Sequence, residues 1–423
     1  MGAPSESWQK KPLNTVAKVI SGYAFKSSEF AEFGVPVIKI KNIRVGFVDL
    51  TDTDHVDEKF LSLPERYHVQ SGDILISLTG SHISQPNSVV GRVARHTESL
   101  PRCLLNQRAG KVIVKDLSLC EPTFLFYALS ERETLHAIAM LAHGAASQAN
   151  VSPTQVESIQ IPLPPLCVQQ RIAGILSAYD ELIENSQRRI KILESMARAV
   201  YREWFVNFRF PGHESTPRIT SPLGEIPQGW EVKKLGDISS YINRGITPRY
   251  DEEGDSVVIN QKCVRDQRLN LEPARRQSKA IPSEKQICFG DVLINSTGVG
   301  TLGRVAQVYE CLEKCTIDTH VTIARAASHI DLDFYGCCLL SLQETFERLG
   351  IGATGQTELG RAAIADIDLA VPPTALQCQF GSAVKGMRSA AETYGKQIKN
   401  LRRSRDLLLP RLLSGLINVD PST

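Results

Sequence analysis

The sequence lacks any run approaching the roughly 20 apolar residues that a membrane-spanning helix needs, which excludes a helical membrane protein. It lacks a surplus of either charge: 48 Lys and Arg stand against 46 Asp and Glu, for a net charge of +2. That balance neither supports nor excludes nucleic-acid binding, which depends on local clustering of cations. Its ten cysteines lack metal-ligand or disulfide-framework spacing. Cys311 and Cys315 lie four apart and Cys337 and Cys338 are adjacent, with no matching Cys or His pair for either. This usage fits reduced, mostly buried thiols and no structural metal. The polar segment from Met1 to Lys11 has no apolar secretory core, so the expected location is cytoplasmic.

Catalytic signatures are missing too. There is no Walker A string, no H-E-x-x-H and no G-x-S-x-G. An adenine-methyltransferase motif of the Asn/Asp-Pro-Pro-aromatic type is absent, because Pro164-Pro165 precedes Leu166 and Pro372-Pro373 precedes Thr374. The nine histidines are dispersed. No catalytic site, metal or cofactor is therefore expected on this chain.

What the sequence does contain is one unit written twice. Trp8 returns as Trp230 at an offset of 222, and GDILISLTG (Gly72 to Gly80) returns as GDVLINSTG (Gly290 to Gly298) at 218. Gly91-Arg92-Val93-Ala94 returns as Gly303-Arg304-Val305-Ala306 at 212. From Gly144 onward the offset settles at 208: Gly144-Ala145 and Gln148 return as Gly352-Ala353 and Gln356, then Pro164-Pro165 and Gln169 as Pro372-Pro373 and Gln377. An ordered series of this kind signals duplication.

Within each copy, short β-branched runs bounded by turn formers predict strands at Val35 to Ile40, Asp73 to Leu78 and Gly110 to Val114. Their counterparts are Ser256 to Asn260, Asp291 to Asn295 and His320 to Ala324. Helical segments are expected over Pro122 to Leu141 and Leu332 to Leu349, giving an α+β domain.

Each copy closes with a long amphipathic helix. Ile172, Leu176, Tyr179, Ile183, Ser186, Ile190, Leu193, Ala197, Val200 and Trp204 follow a strict 4,3,4,3 spacing, a coiled-coil seam. Adding 208 gives Phe380, Val384, Met387, Ala391, Tyr394, Ile398, Leu401, Arg405, Leu408 and Leu412. Arg405 is a flaw in that second seam, and Pro410 is expected to break or kink the helix. Two such helices should pair as an antiparallel coiled coil with internal pseudo-two-fold symmetry, one globular domain at each end. The alternative is that each stripe packs on its own domain. The expected division is a first globular domain (1–160), a central helical spacer (161–210), a second globular domain (211–368) and a C-terminal helical spacer (369–423).

This organisation resembles the specificity subunits of type I restriction-modification systems. The resemblance rests on GDILISLTG and GDVLINSTG, on Gly144-x-x-x-Gln148 followed by IPLPPLCVQQRIAGIL, and on YREWFVNFRFPG from Tyr201 to Gly212. It extends to SPLGEIPQGWEVKKLGDI (Ser221 to Ile238) and LLLPRLLSGLI (Leu407 to Ile417), and so covers essentially the whole chain. It implies a non-catalytic chain that reads an asymmetric bipartite target in double-stranded DNA, one half per domain. Two adenine-methyltransferase (modification) subunits are the implied partners, with restriction or translocase subunits as further ones. S-adenosylmethionine and ATP are expected on those partners. The aromatics Trp204, Phe205, Phe208 and Phe210 either form a partner surface or seal the helix against the following domain.

DNA-contact candidates follow from residue type. The turns Thr79-Gly80-Ser81 and Thr297-Gly298 offer hydroxyls and backbone N–H groups suited to phosphate. A basic stretch holds Lys262, Arg265, Arg268, Arg275, Arg276 and Lys279, suited to counterion release. Lys39, Lys41 and Arg44 are a weaker equivalent in the first copy, and Arg244 and Arg249 sit in a Gly- and Pro-containing loop. Gly298 to Gly303 matches G-x-G-x-x-G, but Arg304 to Tyr309 alternates like a strand where a dinucleotide site needs a helix. The competing function is a coiled-coil assembly scaffold that reads no DNA.

Overall fold

In a computed structural model of the chain, residues 8–81, 90–145, 148–350 and 358–419 are described. Gly352, Ala353 and Gln356 of the repeat lie outside them. The protein is α+β and forms two compact units, residues 1–185 with 397–423, and residues 186–396.

The first unit is built on β1 (Ala17–Ser21), β2 (Val35–Ile38), β3 (Ile74–Ser77), β4 (Val93–Arg95), β5 (Cys103–Leu105) and β6 (Ala109–Val114). One sheet runs β1-β6-β3-β4 and gains Gly46–Phe47 at its edge; in the other, β2 pairs parallel with β5. The second unit repeats the frame with β7 (Ser239–Arg244), β8 (Ser256–Ile259), β9 (Val292–Asn295), β10 (Val305–Gln307), β11 (Cys315–Ile317) and β12 (Val321–Ala326). Its main sheet runs β7-β12-β9-β10, and β8 pairs parallel with β11.

The central strands are apolar on both faces because each separates two cores. Ile74 and Ile76 enter the core shared with the helices, whereas Leu75 enters the core beneath the second sheet. Val292 and Ile294 are split from Leu293 in the same way. Alternation along a strand produces this division.

The helices that cover the sheet are broken, unlike the continuous segments expected. The first is divided into Pro122–Ser130 and Arg132–Met140, because extended Glu131 turns its carboxylate onto the amides of Glu133 and Thr134. The second is divided into Leu332–Ser341 and Gln343–Arg348.

Two long helices follow, α1 (Leu166–Tyr201) and α2 (Thr374–Leu413). At about 1.5 Å per residue they are roughly 54 and 60 Å long. In the first unit, Ile172 and Leu176 share a core with Leu408 and Leu412, and Arg405 meets Asp180 at 2.5 Å. In the second, Arg189 donates to the Tyr394 hydroxyl at 2.8 Å, and the Tyr201 and Phe380 rings lie 6.0 Å apart. Within each unit one residue number rises as its partner's falls, so the pairing is antiparallel. The seam is the least exposed stripe of both helices: Ile183, Ile190, Phe380, Val384 and Ile398 are buried. Tyr179, Leu193, Val200, Met387, Tyr394, Leu401 and Leu408 are half-buried.

Two expectations for α2 are corrected. Arg405 is a polar tie: Asp180 accepts from its guanidinium and also, at 2.6 Å, from the Tyr127 hydroxyl. Pro410 does not end the helix, which continues to Leu413. A proline removes one helical donor, and with only three helical residues after it little of the helix depends on that bond; Pro410 itself is exposed.

Each unit is closed in the same manner. Lys10–Pro12 pairs antiparallel with Gln160–Pro162, and Glu231–Lys234 with Asp368–Val371. Gln169 and Gln377, each 1% exposed, donate to the carbonyls of Pro164 and Pro372 and accept from the amides of Glu121 and Asp331. The Trp8 indole donates to the Leu412 carbonyl at 3.3 Å. Its counterpart Trp230 packs against Phe205, Phe208 and Phe210 with centroids 5.2–5.9 Å away. Those aromatics therefore seal the second unit.

Candidate nucleic-acid interface

Most of the cations singled out from the sequence are engaged inside their own unit. In the first, Lys39 lies 3.1 Å from Asp54 and 3.5 Å from the centroid of the Phe30 ring. Lys41 reaches Asp54 at 3.0 Å and Asp52 at 3.1 Å, and Arg44 lies 3.5 Å from Asp49. Burial pushes the Asp54 carboxyl up, but the ammonium groups of Lys41 and Lys39 outweigh it and hold the group below its ordinary range. Three cations thus face three carboxylates, which leaves little field for a distant phosphate.

The basic stretch of the second unit divides by position. Arg268 sets Nε and Nη2 on one Glu194 oxygen at 2.9 and 2.6 Å, tying its hairpin to α1. Arg265 is 3.8 Å from Asp266. Arg276 donates to the Gly254 carbonyl and Lys279 to that of Thr247. Arg275 stacks 3.7 Å from the Tyr250 ring centroid. Lys262 and Arg249 are exposed, and neither side chain has a partner among the described residues.

The two Thr-Gly turns occupy equivalent ends of the two main sheets. Thr79 donates to Asn150 Oδ1 at 2.7 Å, and Thr79–Gly80 forms a short strand against Ala149 and Asn150. Half-exposed Ser81 is the last described residue before position 90. Thr297 bonds His320 Nδ1 at 2.7 Å, and the residue forms a bridge with Glu358. Arg244 joins this end of the sheet by its register against Thr322, 2.7 Å from Glu358 and donating to the Leu359 carbonyl. Gly298 adopts φ +106°, and a Cβ there would lie 2.3 Å from Thr301 Oγ1. Its carbonyl accepts from Thr301 and Leu302, and the chain then enters β10. Gly298 to Gly303 is thus a turn leading into a strand, the reverse of a dinucleotide loop leading into a helix.

Residue-type reasoning missed part of this end. Asn150 in the first unit, and Gln261, His320 and Glu358 in the second, share it with the threonines, and Arg108 joins it through its carbonyl, which accepts from the Leu78 amide. The available signal was register: Asn150 and Glu358 differ by the 208 offset of the repeat.

Comparison with known proteins resolves the family. The model of the type I restriction modification DNA specificity domain matches residues 5–195 and again 227–398. The chain belongs to that family. Similar proteins include the putative type I restriction enzyme MjaX specificity subunit of Methanocaldococcus jannaschii, 26% identical over 99% of this chain and 96% of that one. The MjaIX specificity subunit of the same organism is 25% identical over the same shares. Among solved structures, the type I restriction-modification S subunit of M. genitalium has the same fold, with a TM-score of 0.55, 18% identity and 98% of both chains covered. The chain is a type I specificity subunit with two target-recognition domains, a non-catalytic component of its system. Among the described residues no helix is long and apolar enough to cross a membrane.

Proposed function

We propose that this chain reads an asymmetric bipartite target in double-stranded DNA, one half per recognition domain, and docks two adenine-methyltransferase subunits. The observation that carries the reading is the duplication itself: two units share one backbone frame and present unlike polar residues at equivalent places. Relatives named as specificity subunits support it. S-adenosylmethionine and ATP belong to the partner subunits, including any restriction subunit. The division into domains 1–160 and 211–368, with helical spacers 161–210 and 369–423, is the functional partition of this reading.

The unread gap is set by the helices. One heptad adds about 10 Å of helix, or about three base pairs at 3.4 Å each. Exposed Ile192 and Met196 on α1 and Leu407 on α2 are the apolar candidates for methyltransferase docking.

The test is co-expression with the cognate modification subunit, followed by mapping of methylated adenines by long-read sequencing. A two-part motif with a fixed gap is expected. A continuous motif, or none, leaves the scaffold reading in its place.

A further inference from the structure

The structure assigns Arg108 and His320 to one and the same position in the two recognition domains, and we propose that each is a base-reading residue for its half of the target. This inference rests on the DNA-reading function above and names the readers that residue-type reasoning passed over.

The equivalence is one of backbone geometry. Asn106 takes the Ile38 carbonyl through its amide and caps the turn by accepting from the Arg108 amide at 3.3 Å. Asp318 takes the Ile259 carbonyl and accepts from the His320 amide at 2.9 Å. The carbonyl of Arg108 then accepts from Leu78 at 2.9 Å, and that of His320 from Ser296 at 2.8 Å. Residue 108 precedes β6 directly, and residue 320 precedes β12. A parallel bridge braces each turn, Tyr23 with Asn106 and Ile246 with Asp318.

Close backbone contact makes both turns stiff. A Cβ on Gly22 would lie 2.2 Å from the Leu105 carbonyl oxygen, and one on Gly245 would lie 1.8 Å from that of Ile317. Each side chain is thus carried on a strand end held from several sides, where a reading group is placed with little entropy to lose.

The chemistry then diverges. Arg108 is exposed and its guanidinium has no partner among the described residues. His320 is exposed as well, and Thr297 engages Nδ1, which orients the ring and leaves Nε2 for a ligand. An arginine fork matches the O6 and N7 acceptors of guanine, whereas one imidazole nitrogen makes a single hydrogen bond. A shared frame with unlike polar groups is what two unlike half-sites require. The neighbouring cations Lys39, Lys41, Arg44 and Arg244 are already met by carboxylates.

The test uses the full chain co-expressed with its modification subunit, comparing wild type with Arg108→Ala, Arg108→Lys, His320→Ala and His320→Gln by methylation mapping. Arg108→Ala and Arg108→Lys are expected to relax one base position of one half by on the order of 10-fold. The His320 variants are expected to alter only the other half. An unchanged motif for all four, or equal loss in both halves, overturns the inference. So does full rescue by Arg108→Lys, which would mark a phosphate contact. If an alanine variant melts more than about 5 °C low, the conservative variants carry the comparison. A wild-type complex without a two-part motif would instead overturn the parent reading.

Discussion

At the sheet end of the first recognition domain Asn106 orders a turn that presents Arg108; in the second, Asp318 orders the same turn and presents His320. The backbone bonds of Asn106 and Asp318, of Tyr23 and Ile246 and of Gly22 and Gly245 are repeated around these turns, while the polar groups projecting from them are not. Elsewhere the difference is sharper. The first domain neutralises Lys39, Lys41 and Arg44 with three nearby aspartates, whereas the second leaves Lys262 and Arg249 exposed and unpaired among the described residues. The comparison teaches that duplication kept the groups that hold the backbone and released the polar groups that project from it.

The frame breaks hardest where two chain segments touch. Gly245→Val is expected to cost upwards of about 4 kcal/mol, enough to unfold the second unit. Gly22→Val should do the same to the first. Chemical denaturation with a probe in each unit checks both; a mild loss at either site would mean that the close approach is not rigid.

A smaller effect is expected at the paired glutamines. Gln169→Ala and Gln377→Ala each strand buried backbone groups, at about 2–3 kcal/mol apiece. Similar losses in the two variants would confirm that the halves are closed alike. Unequal losses would show that the repeat is less exact than its geometry.

The cations of the second unit divide into paired and unpaired ones. Arg268→Ala should lower stability by about 1 kcal/mol, screening of this half-exposed pair included, and leave the salt dependence of DNA binding unchanged. Lys262→Ala and Arg249→Ala should each reduce the slope of log affinity against log salt by about one, with stability intact. A reversed pattern in salt-titrated binding would place Arg268 on DNA.

The smallest effect concerns the capping pair. Burial raises the Asp318 carboxyl above its ordinary range, with the His320 amide and ring opposing. The folded state therefore binds this proton more tightly than the unfolded one. Ionised Asp318 costs stability at neutral pH, and the cost disappears as pH falls through the folded pKa. Asp318→Asn, the residue of the first domain, should raise the melting temperature slightly at pH 7 and not at acidic pH. An equal gain at both would point to something other than charge burial.

Much of the fold was legible in the residues. The strands at Asp73 to Leu78 and Asp291 to Asn295 were readable because β-branched runs between turn formers have few other uses. The seam was readable because its spacing admits one geometry. The site was far less so. Arg268 and Lys262 look alike in a basic stretch, yet one holds a hairpin to α1 and the other has no partner among the described residues. Arg108 drew no attention because nothing near it in the chain marks it.

By itself the sequence determined the duplication, the α+β class, the paired helices and the absence of familiar catalytic strings, since these are written in periodicity and local spacing. Tertiary structure alone decided that Arg405 meets Asp180, that Phe205 and Phe210 are buried with Trp204 and Phe208 packed half-buried against the same core, and that residues 108 and 320 share a position. The physical reason is range. Propensity and pattern act over one or two turns of chain, whereas an ion pair or a matched turn depends on groups hundreds of residues apart that only folding brings together.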